Sequence, residues 1–126
     1  MVMLVDIDGL RHINERFGYP EGDGVLTRVE EALALCIRDT DRLVRQGGDS
    51  FLMLMKQANE EIIEVMQERM LTQLDRMNAD LMKGYRIDFT WGYACGDGSE
   101  SFESVVQKAD EVLYRKKRER TAQIPG

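Results

Sequence analysis

No stretch of this 126-residue chain is apolar for long enough to cross a membrane. The opening run Met1-Val2-Met3-Leu4-Val5 stops at Asp6 and has no basic residues ahead of it, so it reads as a strand and not as a secretion signal. Cysteine is scarce. Cys36 and Cys95 stand far apart, with no CxxC or histidine-assisted metal spacing, and both read as reduced thiols packed as small hydrophobes. The single histidine, His12, reads as a helix-surface residue. Positive charge is also short: 17 Lys and Arg face 23 Asp and Glu, for a net charge of -6. That balance excludes a surface built to coat nucleic acid, because phosphate backbones are held mainly by clustered Lys and Arg. Linkers, low-complexity tracts and internal repeats are absent too, so one cytoplasmic domain without direct membrane contact is expected.

What is present is an ordinary folding composition, 43% hydrophobic and 32% charged, in a chain long enough to bury a core without disulfides. Residues 2–7 form a continuous apolar run ending in acid, the pattern of a buried central strand. Leu10, Ile13, Asn14 and Phe17 follow at helical spacing, and Gly18 suits a helix stop. Gly22-Asp23 is expected to open a second helix capped by Asp23, carrying Val25, Leu26, Val29, Ala32 and Leu33 inward and stopping near Asp39. Arg42–Arg45 and Phe51–Met55 read as a hairpin around Gln46-Gly47-Gly48-Asp49-Ser50. From the cap Asn59, the residues Ile62, Met66, Met70, Leu74, Met77 and Leu81 predict a long amphipathic helix with methionine in its core stripe. Arg86–Cys95 alternates as a strand, and Ser101–Arg118 predicts a last helix with Phe102, Val105, Val106, Ala109, Val112 and Leu113 inward. The order β-α-α-β-β-α-β-α indicates an α+β sheet with a central antiparallel hairpin and helices on it.

Two turns carry the chemistry. Asp6-Ile7-Asp8 closes the first strand, and Gly47-Gly48-Asp49-Ser50 joins two short strands. Carboxylates on turns that face each other at one sheet edge can hold a divalent cation, as phosphoryl-transfer sites do. With the chain acidic overall, the positive charge for a phosphate must be local, and the one dense basic run is Arg115-Lys116-Lys117-Arg118 with Arg120.

These pieces combine. Asp6-Ile7-Asp8, then Asn14, Phe17-Gly18, Gly22-Asp23 and Leu26, then Arg45-x-Gly47-Gly48-Asp49-x-Phe51, then Ala109-Asp110-x-x-Leu113-Tyr114-x-x-Lys117, together resemble the GGDEF domain of diguanylate cyclases over nearly the whole chain. The resemblance implies a fold akin to the palm of nucleotide cyclases and polymerases, and a reaction joining two GTP into cyclic di-GMP across an antiparallel homodimer. It implies Mg2+, or Mn2+ in its place, on Asp6, Asp49 and the backbone carbonyl of Ile7. Asn14 and Asp23 would read the guanine edge, with Tyr19 beside them where histidine is common, and Arg11 and Lys117 would contact phosphates. Relative to the family, the segment before the first strand and the last C-terminal strand are missing, which makes a larger parent protein with further domains the expectation.

Departures from the pattern matter as much. Ser50 replaces the signature's glutamate, and a hydroxyl supplies no negative charge near metal and phosphate, so turnover is expected to be weak or lost. Thr121 replaces an arginine, with Arg120 adjacent as its substitute. Arg38-Asp39-Thr40-Asp41 matches the family's RxxD inhibitory motif, and Arg69 falls where that site's third ligand is expected, implying a cyclic di-GMP site. The alternatives are a receptor for cyclic di-GMP or GTP without catalysis, or a regulatory partner of an adjoining domain.

Overall fold

The computed structural model describes residues 1–79, 81 and 84–123, with side chains through residue 120. The first strand, β1 (Val2–Ile7), is buried on both faces, which is why its sequence is apolar without alternation. Its odd residues Met3, Val5 and Ile7 pack with Leu10, Ile13, Val25, Val29, Met66 and Met70 in one core. Its even residues Val2 and Leu4 pack with Leu52, Val105, Ala109 and Leu113 in a second. Each such fully buried side chain contributes roughly 1.5–3 kcal/mol.

Helices α1 (Leu10–Phe17) and α2 (Tyr19–Ala34) follow, then the hairpin β2 (Arg42–Gln46) and β3 (Ser50–Leu54), α3 (Glu60–Ala79), β4 (Phe89–Ala94) and α4 (Phe102–Gln123). This is the element order expected. The strands line up as β2-β3-β1-β4 with every neighbouring pair antiparallel. The hairpin thus supplies one inner strand, β3, and one edge strand, β2. The first core lies between the sheet and α1, α2 and α3, and α4 covers the opposite face. No helix among the described residues is long and apolar enough to cross a membrane.

Several boundaries differ from those expected. Helix α2 starts at Tyr19, so Asp23 lies inside it and caps nothing; Gly18, at φ 94 and ψ 159, makes the break in a region open to glycine, and Pro20 suits a first turn. It ends at Ala34, with residues 35–37 in a turn in which the Cys36 N–H reaches the Leu33 carbonyl at 3.0 Å. Helix α3 stops at Ala79 and β4 begins only at Phe89. Phe102 is exposed, because Ser101 caps α4 and places Phe102 at its outer first position. Asn59 does cap α3, its Oδ1 accepting from the Ile62 N–H at 2.9 Å.

Candidate functional site

The end of β1, the hairpin tip and the outer end of α4 converge at one edge of the sheet. Asp6 sits in register between Ser50 of β3 and Thr90 of β4. The Ile7 N–H donates to the Asp49 carbonyl at 2.9 Å, and the Asp8 N–H to the Asp88 carbonyl at 2.9 Å. These bonds tie the acidic turn to both neighbours. The hairpin turns over Gly47-Gly48-Asp49, with Gly47 at φ 66, a conformation that a side chain disfavours.

A groove of about 560 Å³ opens there, walled by Ile7, Asp8, Gly9, Leu10, Arg11, Asp49, Asp88, Thr90, Lys117 and Arg120. Lys117 pairs with Asp6, so an ammonium rests on a carboxylate expected to hold a cation. A second groove of about 510 Å³ continues from it, sharing Leu10, Arg11 and Asp49 and adding Asn14, Tyr19, Asp23 and Arg45. Of the residues expected to bind metal and phosphate, Ile7, Asp49, Arg11 and Lys117 line the first groove, and Asn14, Tyr19 and Asp23, expected beside a base, line the second; Asp6 lines neither and is reached through Lys117. Arg11 spans both grooves but is 92% exposed and held by Glu15 at 3.1 Å. The Asn14 amide packs directly against Gly22 of α2: a Cβ there would lie 1.7 Å from its Oδ1, so a side chain at position 22 would have to displace the amide. That Oδ1 is buried without a hydrogen-bond partner among the described residues. Tyr19 is largely exposed at the rim, and His12 is exposed, as expected of a helix-surface residue.

Ser50 does not line either groove. Its hydroxyl donates back across the hairpin to the Gln46 carbonyl. The hydroxyl thus closes the turn and leaves Asp49 as the hairpin's acid. Asp6, Asp49 and the Ile7 carbonyl offer oxygen donors only, from β1 and from the hairpin turn, the kind of donor that a hard cation takes. No cluster of three or more acidic, histidine or cysteine side chains fit for a metal occurs among the described residues.

Sequence reasoning placed Asp8 in the acidic turn without a contact of its own and gave no role to Asp88 or Thr90. Thr90, nearly buried, donates to the Asp8 carboxylate at 2.8 Å, and Arg120 reaches Asp8, Asp88 and Thr90 together. Burial pushes the Asp8 carboxyl above its ordinary value, with Thr90 and Arg120 opposing that rise. The Asp-x-Asp pattern flagged Asp8, but nothing in the sequence announces that β4 lies beside β1. Arg120 lines the first groove, yet its guanidinium is engaged by two carboxylates; the Thr121 side chain lies outside the described residues.

Arg38 and Arg69 share a separate groove of about 450 Å³ between the α2–β2 turn and α3. Asp41 does not line it. Its side chain is wholly buried, accepting from the Arg38 N–H at 2.8 Å, Nε at 3.1 Å and Nη2 at 2.9 Å, while Arg38 Nη2 also donates to the Lys56 carbonyl at 2.8 Å. Burial alone would raise the Asp41 carboxyl, but these bonds outweigh it and hold it below its ordinary value.

A family model described as "Diguanylate cyclase, GGDEF domain" matches residues 1–123. The chain is 30% identical over 119 residues to the diguanylate cyclase DosC of Escherichia coli strain K12, covering 93% of this chain and 26% of that protein. It thus spans about a quarter of that relative's length. The GGDEF domain of DgcB from Caulobacter crescentus, solved in complex with c-di-GMP, superposes with a TM-score of 0.83 at 23% identity, over 93% of this chain and 71% of that one. The diguanylate cyclase SiaD of Pseudomonas aeruginosa, solved with its activator SiaC, gives 0.80 at 24% identity, over 94% of this chain and 46% of that one.

Proposed function

Because the chain belongs to the GGDEF family of diguanylate cyclases, we propose that it is a cyclic di-GMP signalling domain holding one GTP per protomer, with turnover held low by Ser50. The observation that carries this reading is the continuous groove in which Arg11 and Asp49 link a metal-and-phosphate half to a base half. Mg2+ on Asp6, Asp49 and the Ile7 carbonyl would neutralise phosphate oxygens and activate a 3′-hydroxyl. Lys117 binds a phosphate as it leaves Asp6, exchanging one anionic partner for another. Asp23 accepts from guanine N–H groups, and the unmet Asn14 Oδ1 is an acceptor that such an edge would satisfy once the amide turns into the groove. Tyr19 offers an exposed ring beside the base. Product formation requires two such half-sites face to face in a homodimer.

Calorimetry with GTP tests the binding half. Mg2+ should strengthen binding, and Asp49→Asn should remove that gain, costing roughly tenfold or more in affinity. Mg2+-independent binding in both proteins would refute the assignment.

A second reading, a cyclic di-GMP receptor, is favoured by the shared groove of Arg38 and Arg69, whose guanidinium forks suit guanine edges and phosphates. Asp41 would join such a site only by exchanging Arg38 for the ligand. Loss of dinucleotide binding in Arg69→Ala is the result expected, and unchanged affinity would reject this reading.

A further inference from the structure

Near its outer end α4 meets the sheet through Arg120, which makes more of these contacts than any other described side chain there. Arg120 Nη1 donates to Asp8 Oδ2 at 2.7 Å, to Thr90 Oγ1 at 2.7 Å and to the Phe89 carbonyl at 3.2 Å, while its Nη2 pairs with Asp88. Four acceptors from the β1 end and the β4 start thus converge on one guanidinium. Lys117 lies three residues earlier, one turn along the same helix, and pairs with Asp6. The helix and β4 are otherwise in close contact further back, where Gly92 admits Leu113 and Ala109. Beyond Leu113, the described side chains with a polar or cation–π contact to the sheet include Lys116 over the Trp91 ring at 5.5 Å, Lys117 and Arg120.

We infer that Arg120 is a positioning residue whose four-point clamp fixes the outer turns of α4 and thereby sets where Lys117 meets the phosphate groove. This rests on reading that groove as a triphosphate site. A planar guanidinium donates in several directions at once, and an ammonium in its place keeps the charge but cannot hold four acceptors on two strands. The same bonds argue against Arg120 as a direct phosphate ligand, since phosphate would have to displace two carboxylates.

Arg120→Lys and Thr90→Val test this, because both keep the net charge and one removes only a nearly buried hydroxyl. Amide hydrogen exchange over residues 114–123 should quicken by roughly tenfold in both variants, with protection of β1 and β3 unchanged as a control for folding. Affinity for GTP with Mg2+ should fall by roughly tenfold while affinity for GMP stays level, since GMP lacks the outer phosphates. Arg120→Lys with wild-type exchange would overturn the clamp. Faster exchange with unaltered GTP affinity would overturn its link to Lys117. If the wild-type protein bound no GTP, the groove assignment would fall, and exchange would still decide the clamp.

Discussion

Ser50 exchanges a carboxylate for a hydroxyl at the hairpin tip, and that hydroxyl turns away from the groove to the Gln46 carbonyl. The residue has become part of the turn. Ser50→Ala should therefore lower stability by about 1 kcal/mol, read as a shift in the urea midpoint. Asp41 is another residue whose role follows from its partners. Its carboxyl is held below the ordinary value of 3.8, so its ionised form stabilises the fold above that pH, and the contribution is lost as pH falls through the lower folded value. Asp41→Asn should cost about 1–3 kcal/mol at neutral pH, because the charge and one of the two oxygens that accept from Arg38 are lost, and should flatten the acid limb of stability below about pH 4. Urea titrations between pH 2 and 7 measure both effects. At this scale the sequence was partly legible. Motif spacing singled out Asp49, Asn14, Asp23 and Lys117, which the fold brings to two adjoining grooves, whereas the burial of Asp41 beneath Arg38 depends on how the turn closes and has no periodic signature.

Elements obeyed their apolar patterns, and their ends obeyed local chemistry. The Met66, Met70 and Leu74 stripe and the buried run of β1 were legible because burial repeats along the chain. The start of α2 was not, since Asp23 is a good cap residue and Gly18-Tyr19-Pro20 gives a weaker signal that the glycine-only conformation of Gly18 makes decisive. Contact between elements sets sharper limits. A Cβ on Gly92 would lie 2.4 Å from the Leu113 nitrogen and 2.7 Å from the Ala109 carbonyl oxygen. Gly92→Ala must push α4 off β4 and should destabilise the protein by about 1–3 kcal/mol in urea unfolding. Asn59→Ala should cost about 1 kcal/mol by the same measurement, since the Ile62 N–H then has no cap.

For the whole molecule, the sheet order β2-β3-β1-β4 brings residues more than a hundred positions apart to one edge, as Asp6 and Lys117 show. The sequence indicated each turn separately. It did not indicate that β4 borders β1, which is why the Asp8, Asp88 and Thr90 contacts were not foreseen. The sheet edge brings acidic, basic and amide side chains together along two adjoining grooves, and the hairpin tip carries Ser50 where the family signature has an acid. Incubating the wild-type protein and Ser50→Glu with GTP and Mg2+, and quantifying cyclic di-GMP by mass spectrometry, tests this account most directly. It predicts little product from the wild type and at least about tenfold more from Ser50→Glu. Robust synthesis by the wild type, unimproved by the glutamate, would contradict it.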